Sequence, residues 1–374
     1  MTKKILLKDI LFNESKISRI ATEIQSHYPA FNKTHFIRET LAEFPKLELK
    51  ARITWIADRL KKYLPKDFSK AVEILTRSLP APCDPKGFDN DFGEFIYAPY
   101  SEYIAKNGCS REQLVKSLSA LKEITTRFSV EDAIRYFINA FPKETLAEIS
   151  RWSKHPHYHV RRLASEGTRP KLPWSQKIKI PITAPLPILD NLFFDKTRFV
   201  TRSVANHMND LSKTNPELAI DTLTRWKKSD KQKPEEMDYI IRHAIRTMIK
   251  QGHPKALRLI GIAHAPNLKA ADLNIPKKVK MNSPLQFSFK ILSKKNQKLI
   301  VDYILHFQNK AGKLSGKKVF KLKTATVKAN QPLTIEGRHP LRQFMTTRTL
   351  YPGRHKIEIQ INGKIYNEAY FDLR

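Results

Sequence analysis

The chain has 374 residues, of which 41% are hydrophobic, so it is long enough for two or three domains and is globular rather than disordered. Its 68 Lys and Arg residues against 36 Asp and Glu give a net charge of +32, which predicts a polyanionic partner: DNA, RNA or an acidic membrane surface. No apolar run reaches the about 18 residues of a transmembrane helix, and the two cysteines form no CxxC pair or Cys/His cluster, so the sequence argues against a membrane-spanning protein, a disulfide framework, a metal site and a bound cofactor.

From the N-terminus to about residue 265, apolar residues recur with the 3.6-residue period of helices. The first segment, MTKKILLKDILFNESKISRIATEI, has charges within its apolar stretch and no small-residue cleavage site, so it predicts an amphipathic helix rather than a secretory signal. In SVEDAIRYFINAF the apolar residues fall on one face, with Ser129 at the N-cap and Asp132 three residues later, close to a capping box. Turns rich in Pro, Gly and Asn separate these short helices.

Two parts of the helical region resemble each other. KETLAEISRW followed by YHVRRLASEG is similar to PELAIDTLTRW followed by YIIRHAIRTMIKQG, and Trp152 and Trp226 lie 74 residues apart. That distance is about two helical hairpins of the HEAT kind. The pattern therefore predicts an α-solenoid with a long concave face for an extended ligand. The alternative is an irregular helical bundle in which the similarity is accidental.

After about residue 275 the sequence changes to short runs, several with period-2 alternation, such as PLQFSFKIL and GRHKIEIQI. The pair Asn362-Gly363 predicts a tight hairpin turn. About seven or eight such strands in some 100 residues are typical of an immunoglobulin-like sandwich. We therefore predict a mostly α protein, with a HEAT-like domain at residues 1–270 followed by a small all-β domain at residues 275–374, which holds 21 Lys and Arg against 5 Asp and Glu.

The segment HVRRLASEGTRPKLPW places one acid, Glu166, among four basic residues. The helical pattern turns Glu166 away from the apolar face, and Gly167 is a natural residue to end the helix. Considered alone, Glu166 is explained by an ion pair with Arg162 one turn earlier, worth only about 0.3–0.5 kcal/mol.

Two further acids change this interpretation. Glu131 lies off the apolar face of its helix, in the first turn, and Asp210 lies near the end of a later helix. The spacings are 35 residues from Glu131 to Glu166 and 44 from Glu166 to Asp210, each near one solenoid repeat. Stacked repeats can therefore bring the three carboxylates to one surface. Because acids in a phosphate-binding groove weaken DNA binding, we expect either a cationic feature of the ligand or structural ion pairs.

Several residues of the same region suit contact with DNA. Guanidinium groups bind phosphate oxygens through charge-assisted, often bidentate contacts. The candidates are Arg161, Arg162, Arg169, Arg198, Arg202 and Asn206, with a solvated basic face as the alternative. Trp152 and Trp174 are candidates for stacking on a base or sugar. Trp152 is more simply a packing residue at the end of its helix, whereas Trp174 lies in a proline-bounded loop that favours exposure.

The segments RWSKHPHYHVRRLASEGTRPKLPW and SVANHMNDLSKTNPELAIDTLTRW resemble the AlkC/AlkD superfamily of HEAT-like alkyl-DNA glycosylases, and the immunoglobulin-like domain points to the AlkC branch. The resemblance is dense over about residues 125–265, looser before them and architectural over the last hundred residues. It implies a DNA repair enzyme that hydrolyses the N-glycosidic bond of cationic methylated bases in duplex DNA, especially N3-methyladenine and N3-methylcytosine. It also implies that the base is not drawn into a deep pocket. We expect a monomer in a bacterial cytoplasm, associated with the nucleoid.

The resemblance also assigns roles to residues. The family's acidic active-site positions match Glu131, Glu166 and Asp210, and its aromatic wall matches Trp174. A lysine nucleophile is not part of the pattern, which implies a monofunctional enzyme. A cationic base leaves as a neutral molecule while positive charge develops on the deoxyribose, so a carboxylate aimed at the sugar stabilises the transition state and can orient the attacking water.

The basic β domain is expected to hold the duplex from the opposite side. Its segment EGRHPLRQFMTTR supplies four candidates for DNA contact in or near one loop: Arg338, His339, Arg342 and Arg348. A minor-groove or backbone contact from that loop is one interpretation. General electrostatic attachment, with no particular role for the loop, is the other.

Two other functions are compatible with the sequence. A non-catalytic solenoid that binds nucleic acid would share the fold and the charge, and release of N3-methyladenine from methylated DNA distinguishes the enzyme from it. A protein-interaction scaffold is the second, because HEAT solenoids usually bind proteins. An affinity for duplex DNA that hardly falls with salt would favour the scaffold, whereas the net charge of +32 argues against it.

Overall fold

The computed structural model describes residues 6–85, 92–345 and 348–374. Helices occupy the chain as far as Leu259 and strands follow from Leu268, which confirms the predicted helical region followed by an all-β domain. Within the described ranges the α-helices are α1 (Leu7–Leu11), α2 (Glu14–His27), α3 (Lys33–Glu43), α4 (Leu49–Tyr63), α5 (Phe68–Arg77), α6 (Ala98–Gly108), α7 (Leu114–Thr125), α8 (Ile134–Ala140), α9 (Pro142–Trp152), α10 (Tyr158–Glu166), α11 (Leu186–Leu192), α12 (Arg198–Ser212), α13 (Pro216–Lys228), α14 (Pro234–Ala244), α15 (Arg246–Lys250) and α16 (Pro254–Leu259). None of these described helices has both the length and the apolar character needed to cross a bilayer.

The N-terminal segment forms two helices instead of the single amphipathic helix that we predicted. α1 ends at Leu11 and α2 begins at Glu14, because the Asn13 side chain accepts a hydrogen bond from the backbone N–H of Lys16 at 3.1 Å and so caps α2. The amphipathic pattern is retained in α2, whose buried residues recur at spacings of three and four: Ile17, Ile20, Ala21 and Ile24.

The helix predicted from SVEDAIRYFINAF begins later than expected. Ser129 does not cap it: the Ser129 hydroxyl donates to the Glu131 carboxylate and accepts from Arg162 Nη1 at 2.5 Å. Residues 131–133 form a turn, and α8 starts at Ile134. Glu131 therefore lies in the turn before α8 and not in its first turn. The Ser129 hydroxyl, which the local pattern assigned to a helix cap, instead binds Arg162 of α10.

From α6 to α11, consecutive helices pack on each other in chain order, as the helices of hairpin repeats do. α8 contacts α9, α9 contacts α10, and α10 contacts α11. The chain forms two compact units: one holds the residues up to Leu211 together with Arg225–Ala244, and the other holds Ser212–Thr224 and Ile245–Arg374. The predicted domain limits, 1–270 and 275–374, and the roles assigned to the two domains stay predictions.

Within the second unit, a side-chain hydrogen bond and a close backbone approach join the short helices to the β domain. Gln360 Nε2 donates to the carbonyl oxygen of Lys250 at 3.0 Å. Gly252 approaches Gly363 so closely that a Cβ on Gly252 would lie 2.4 Å from the Cα of Gly363. Both glycines have positive φ, so they are required by conformation as well as by space.

The β domain is a two-sheet sandwich with a small third sheet. Within the described residues its strands are β1 (Leu268–Asn274), β2 (Lys278–Val279), β3 (Pro284–Ser293), β4 (Gln297–Gln308), β5 (Leu314–Val327), β6 (Leu333–Pro340), β7 (Phe344–Met345), β8 (Arg348–Thr349), β9 (Gly353–Ile361) and β10 (Lys364–Leu373). The sheet orders are β1-β3-β6, β2-β10-β9-β4-β5 and β7-β8, with β2 and β10 parallel and the other pairs antiparallel.

The predicted hairpin turn is present between β9 and β10. Ile361 pairs with Lys364, and the two residues between them have φ values of 47° at Asn362 and 83° at Gly363. Positive φ at both central positions is what a type I′ turn requires, and it explains the Asn-Gly pair. The sandwich core is built from inward-facing residues of both large sheets, among them Leu285, Phe289, Ile291, Leu299, Val301, Ile357, Ile359 and Ile361.

Candidate active site

Three carboxylates of the helical region are joined by two arginines into one group, which we call the carboxylate–arginine cluster. Arg162 Nη1 lies 3.4 Å from Glu131 Oε2, and its Nη2 lies 3.8 Å from Glu166 Oε2. Arg169 Nη1 donates to Glu166 Oε1 at 2.6 Å. Arg169 Nε donates to Asp210 Oδ2 at 3.0 Å, and Arg169 Nη2 lies 2.9 Å from the same oxygen. The structure thus brings together the three acids whose spacing suggested a shared surface.

Close packing of α10 against its neighbours positions the centre of this cluster. Arg162 and Glu166 lie off the apolar face of α10, as the pattern predicted, yet they are only 7% and 5% exposed because other helices cover that face too. Gly167 ends α10 as predicted, since the helix stops at Glu166, and its φ is −64°. A Cβ at this position would lie 2.6 Å from Ile134 Cγ2, so the glycine allows α10 to approach α8.

Glu166 stays ionised although it is buried. Burial raises the pKa of a carboxyl group, but the positive charges of Arg162 and Arg169 and the hydrogen bonds from Ser203 and Arg169 outweigh this effect and lower the pKa of Glu166. Ser203 Oγ donates to Glu166 Oε2 at 2.6 Å. Desolvation opposes the charge of Arg169, yet attraction to Glu166 and Asp210 raises its pKa. The five side chains of the cluster therefore hold three negative and two positive charges in fixed positions.

Trp174 projects from the loop that follows Arg169. Its side chain is 79% exposed, and its φ of +66° places a bulky residue in the left-handed region. Such a conformation is unfavourable by about 1–2 kcal/mol for a residue with a side chain, and conformations of this kind cluster at functional sites. An exposed indole on a strained backbone is suited to stacking on a ligand rather than to packing in a core.

Arg135 of α8 holds this loop through its backbone. Its guanidinium donates to the carbonyl oxygens of Gly167 at 3.1 Å, Arg169 at 2.8 Å and Gln176 at 2.6 Å. Its pKa is lowered, chiefly by burial. Since Arg169 is part of the cluster and Trp174 lies between Arg169 and Gln176, Arg135 fixes both elements of the site relative to α8.

Comparison with known proteins gives full-length matches. The chain is 33% identical over 372 residues to the Uncharacterized protein YhaZ of Bacillus subtilis (strain 168), spanning 98% of this chain and 99% of that protein. Residues 269–374 match a family model described as "Uncharacterised protein YhaZ, C-terminal Ig-like domain". The solved Pseudomonas fluorescens alkylpurine DNA glycosylase AlkC, bound to DNA containing an abasic site analog, shares 33% identity and a TM-score of 0.88, with 99% of this chain and 100% of that chain covered. This chain belongs to the AlkC family.

The arginines proposed for phosphate contact are already engaged within this AlkC-family chain. Besides Arg162 and Arg169, Arg161 donates to Asp195 Oδ2 at 2.5 Å through Nε and to Oδ1 at 3.1 Å through Nη2. Arg198 Nε donates to both Glu236 oxygens at 2.8 Å, and its guanidinium lies 3.7 Å from the Tyr239 ring centroid. Contact of these groups with phosphate would compete with internal carboxylates, so their role in DNA binding stays a prediction.

The remaining candidates on the helices have different surroundings. Arg202 and Asn206 are half-buried on α12, and Asn206 Oδ1 lies 2.8 Å from His243 Nε2. Trp152 is only 2% exposed, and its indole N–H donates to Glu148 Oε1 at 2.9 Å. The placement of Trp152 corresponds to the packing alternative, because a buried indole with a satisfied N–H presents no face to a base.

The basic segment of the β domain is only partly on the surface. Arg338 and Arg342 are exposed, whereas Arg348 is half-buried with its guanidinium 3.8 Å from the Phe307 ring centroid. His339 is buried, with Nδ1 2.8 Å from the Tyr303 hydroxyl, and burial lowers its pKa to about 4, helped by nearby positive charges. His339 therefore has a packing position. Residues 346–347 of the segment lie outside the described residues.

Sequence reasoning missed three side chains that shape the site. Arg135 holds the Trp174 loop, and Ser203 donates to Glu166. Lys50 of α4 donates to the carbonyl oxygen of Trp174, and its Nζ lies 3.0 Å from Asp132 Oδ2. A signal existed for Ser203, since it lies seven residues before Asp210 and so falls on the same face of α12. The partners of Arg135 and Lys50 are backbone atoms or lie far along the chain, so no local pattern reveals them.

Proposed function

We propose that this chain is a DNA glycosylase that hydrolyses the N-glycosidic bond of alkylated bases in duplex DNA. The observation that carries the proposal is the carboxylate–arginine cluster beside the exposed Trp174, in a chain whose fold matches a glycosylase bound to DNA. Within the cluster, negative charges outnumber positive ones, which favours a ligand with a cationic feature. The net charge of +32 supplies the general attraction to DNA.

The chemistry follows from fixed negative charge. When the bond between C1′ and the base nitrogen breaks, its electron pair goes to the base, a cationic base leaves neutral, and positive charge develops on the deoxyribose. The ionised Glu166 and Asp210 stabilise that charge without rearranging, because their partners already hold them in place. Water then bonds to C1′ and gives its proton to a carboxylate. Glu131, with 25% of its side chain exposed, is our choice for orienting this water.

The finer specificity is also part of the proposal. N3-methyladenine and N3-methylcytosine are cationic within DNA, so their departure needs no strong general acid, and the cluster supplies none because Glu166 is held ionised. Among the described residues that pair within the cluster, none is a lysine, which favours a monofunctional hydrolase over a Schiff-base mechanism. We further propose that the protein acts as a monomer on a bacterial chromosome and does not rotate the base into a deep pocket before cleavage.

Release of methylated bases from duplex DNA tests the proposal. Wild-type protein should release N3-methyladenine in single-turnover assays, and Glu166→Gln and Asp210→Asn should each slow release by about 10²–10³-fold. Asp238→Asn is the matched control, because Asp238 forms an exposed i, i+4 pair with Arg242 on α14. Binding to an abasic duplex should survive in all three variants. Absence of any release by the wild type would refute the enzymatic function.

A non-catalytic DNA-binding protein is the second candidate, and one observation favours it. Each arginine of the cluster already bridges two carboxylates, as in a purely structural network. This candidate predicts tight binding to duplex DNA without base release. A protein scaffold differs from both, since its affinity for DNA would not fall linearly on a plot of log affinity against log salt.

A further inference from the structure

A cavity of about 370 Å³ lies directly beside the proposed catalytic centre. It is bounded by α4, the start of α6, the turn before α8 and the Trp174 loop, all within the helical unit. This volume falls in the range of about 300–1,000 Å³ that small-molecule sites occupy. Glu131 lines the cavity and also belongs to the carboxylate–arginine cluster, so the cavity and the proposed catalytic centre share this residue.

The walls of the cavity combine apolar side chains with a few acidic groups. Leu49, Ile53, Phe95 and Phe128 supply apolar contacts. Glu102 contributes a carboxyl group whose pKa is raised, chiefly by burial, and whose Oε1 accepts a hydrogen bond from Thr54 at 3.2 Å. Mostly apolar walls with a small number of placed polar groups are typical of sites for small ring compounds.

The acidic lining restricts what the cavity can hold. Three carboxyl groups line it, from Glu102, Glu131 and Asp132, and the cation among its lining residues, Lys50, is already paired with Asp132 at 3.0 Å. Phosphate groups are repelled by such a lining, and a sugar has too many hydroxyls for the apolar walls. A flat ring that carries amino donors fits both properties, because its faces are apolar and its amino edge can donate to a carboxylate.

We propose that this cavity binds the alkylated nucleobase after the glycosidic bond is broken, with a preference for bases that carry an exocyclic amino group. The inference rests on the proposed function and deepens it. Adenine and cytosine derivatives carry such an amino group, whereas thymine derivatives do not. Trp174 also lines the cavity, so the exposed indole marks the side from which the base enters. The base occupies the cavity as a product, so no rotation of the intact nucleotide is needed.

Binding of free bases to the DNA-free protein tests this proposal. We expect calorimetric titration with free 3-methyladenine to show binding, and free 3-methylthymine to bind more weakly by about tenfold or more. Ile53→Trp fills the cavity and should weaken 3-methyladenine binding by about tenfold or more, while Val115→Trp, on the exposed side of α7, should leave it unchanged. Equal binding of both bases, or no binding of 3-methyladenine by the wild type, overturns the proposal.

A second variant and a second assay complete the design. Leu49→Trp fills the same space from the first residue of α4, where a helix end tolerates change, and it decides the result if thermal melting shows that Ile53→Trp is unfolded. Unchanged 3-methyladenine binding in whichever filling variant is folded also overturns the proposal. Base release from methylated duplex DNA is measured in parallel with the wild type. Release without binding of the free base refutes the cavity alone, whereas binding without release refutes the enzymatic function.

Discussion

The carboxylate–arginine cluster of the helical region and strand β5 of the β domain hold their charges in opposite ways. In the carboxylate–arginine cluster the charged groups are buried and paired, with only 6% of the Glu166 side chain and 4% of the Asp210 side chain exposed. In the β domain, lysines of the sheet's outer strand β5 are exposed: Lys317, Lys318, Lys321 and Lys323. Buried pairs fix where a charge lies, whereas exposed cations act at a distance and are screened by salt. The first arrangement suits catalysis and the second suits capture of a polyanion.

The largest effect should come from breaking the buried cluster. Arg169→Met removes a positive charge that Glu166 and Asp210 share, and breaking a buried ion pair at one partner should lower the free energy of unfolding by about 3–5 kcal/mol. Arg151→Met is the matched control, since Arg151 has 77% of its side chain exposed and pairs with Glu148 at the surface, where such a pair is worth about 0–1 kcal/mol. Urea unfolding at pH 7 measures both. Similar losses in the two variants would contradict the distinction between buried and exposed charge.

A second comparison concerns two buried carboxyl groups whose pKa values shift in opposite directions. Asp302 of β4 is 3% exposed, and burial raises its pKa to about 6, with Lys250, Gln360 and Lys321 opposing the shift. Because its pKa is higher in the folded state, its stabilising effect is complete at pH values below the ordinary pKa of Asp and is lost as the pH rises through about 6. Asp302→Asn should therefore be more stable than the wild type at pH 8, by about 1–3 kcal/mol.

Glu166 should change the free energy of unfolding with pH in the opposite direction to Asp302. Its pKa is lowered in the folded state, so its contribution to stability is present above the ordinary pKa of Glu and is lost as the pH falls through the lowered value. Urea unfolding between pH 8 and pH 3 should show Asp302→Asn converging with the wild type as the pH falls below 6, while the deficit of Glu166→Gln shrinks only in stronger acid. Curves for the two variants that run parallel with pH would exclude this assignment.

Much of the fold could be predicted because its signals are local. The period of 3.6 residues in the first part, the alternation after residue 275 and the Asn362-Gly363 turn each depend on residues close in sequence. An error arose where tertiary contacts replaced a local one. Ser129 bonds Glu131 and Arg162 instead of capping α8, which begins only at Ile134.

The candidate site was predictable in its acids and in the Arg162–Glu166 pair within α10, but not in its ion pairs between distant segments. Repeat spacing suggested that Glu131, Glu166 and Asp210 could meet, because a solenoid repeats its geometry along the chain. The arginines were assigned to phosphate because their chemistry suits it, yet Arg169 bridges two of these carboxylates. Which anion an arginine meets depends on the packing of distant helices. Composition and spacing do not contain that information.

The exposed cations of the β domain allow a test of whether particular residues of this domain bind DNA. Arg338→Gln together with Arg342→Gln removes two exposed charges, one near the end of β6 and one in the loop that follows it. If both groups contact phosphates, affinity for duplex DNA should fall by about tenfold, and the slope of log affinity against log salt should become shallower by about 2. Lys317→Gln with Lys318→Gln removes the same charge from β5 and is the control. Equal losses in the two double variants would indicate general electrostatic attachment with no particular role for the loop.

The smallest expected effect concerns Trp174, where two variants distinguish backbone strain from stacking of the indole on DNA. Because its φ is +66°, any residue with a Cβ is strained there and glycine is not. Trp174→Gly should therefore be more stable than Trp174→Ala by about 1 kcal/mol, a difference that thermal unfolding can resolve. Both variants lose the indole, so both should bind and cleave methylated DNA less well than the wild type, and to the same extent. If Trp174→Gly alone loses activity, backbone geometry and not the aromatic face makes the contribution of this loop.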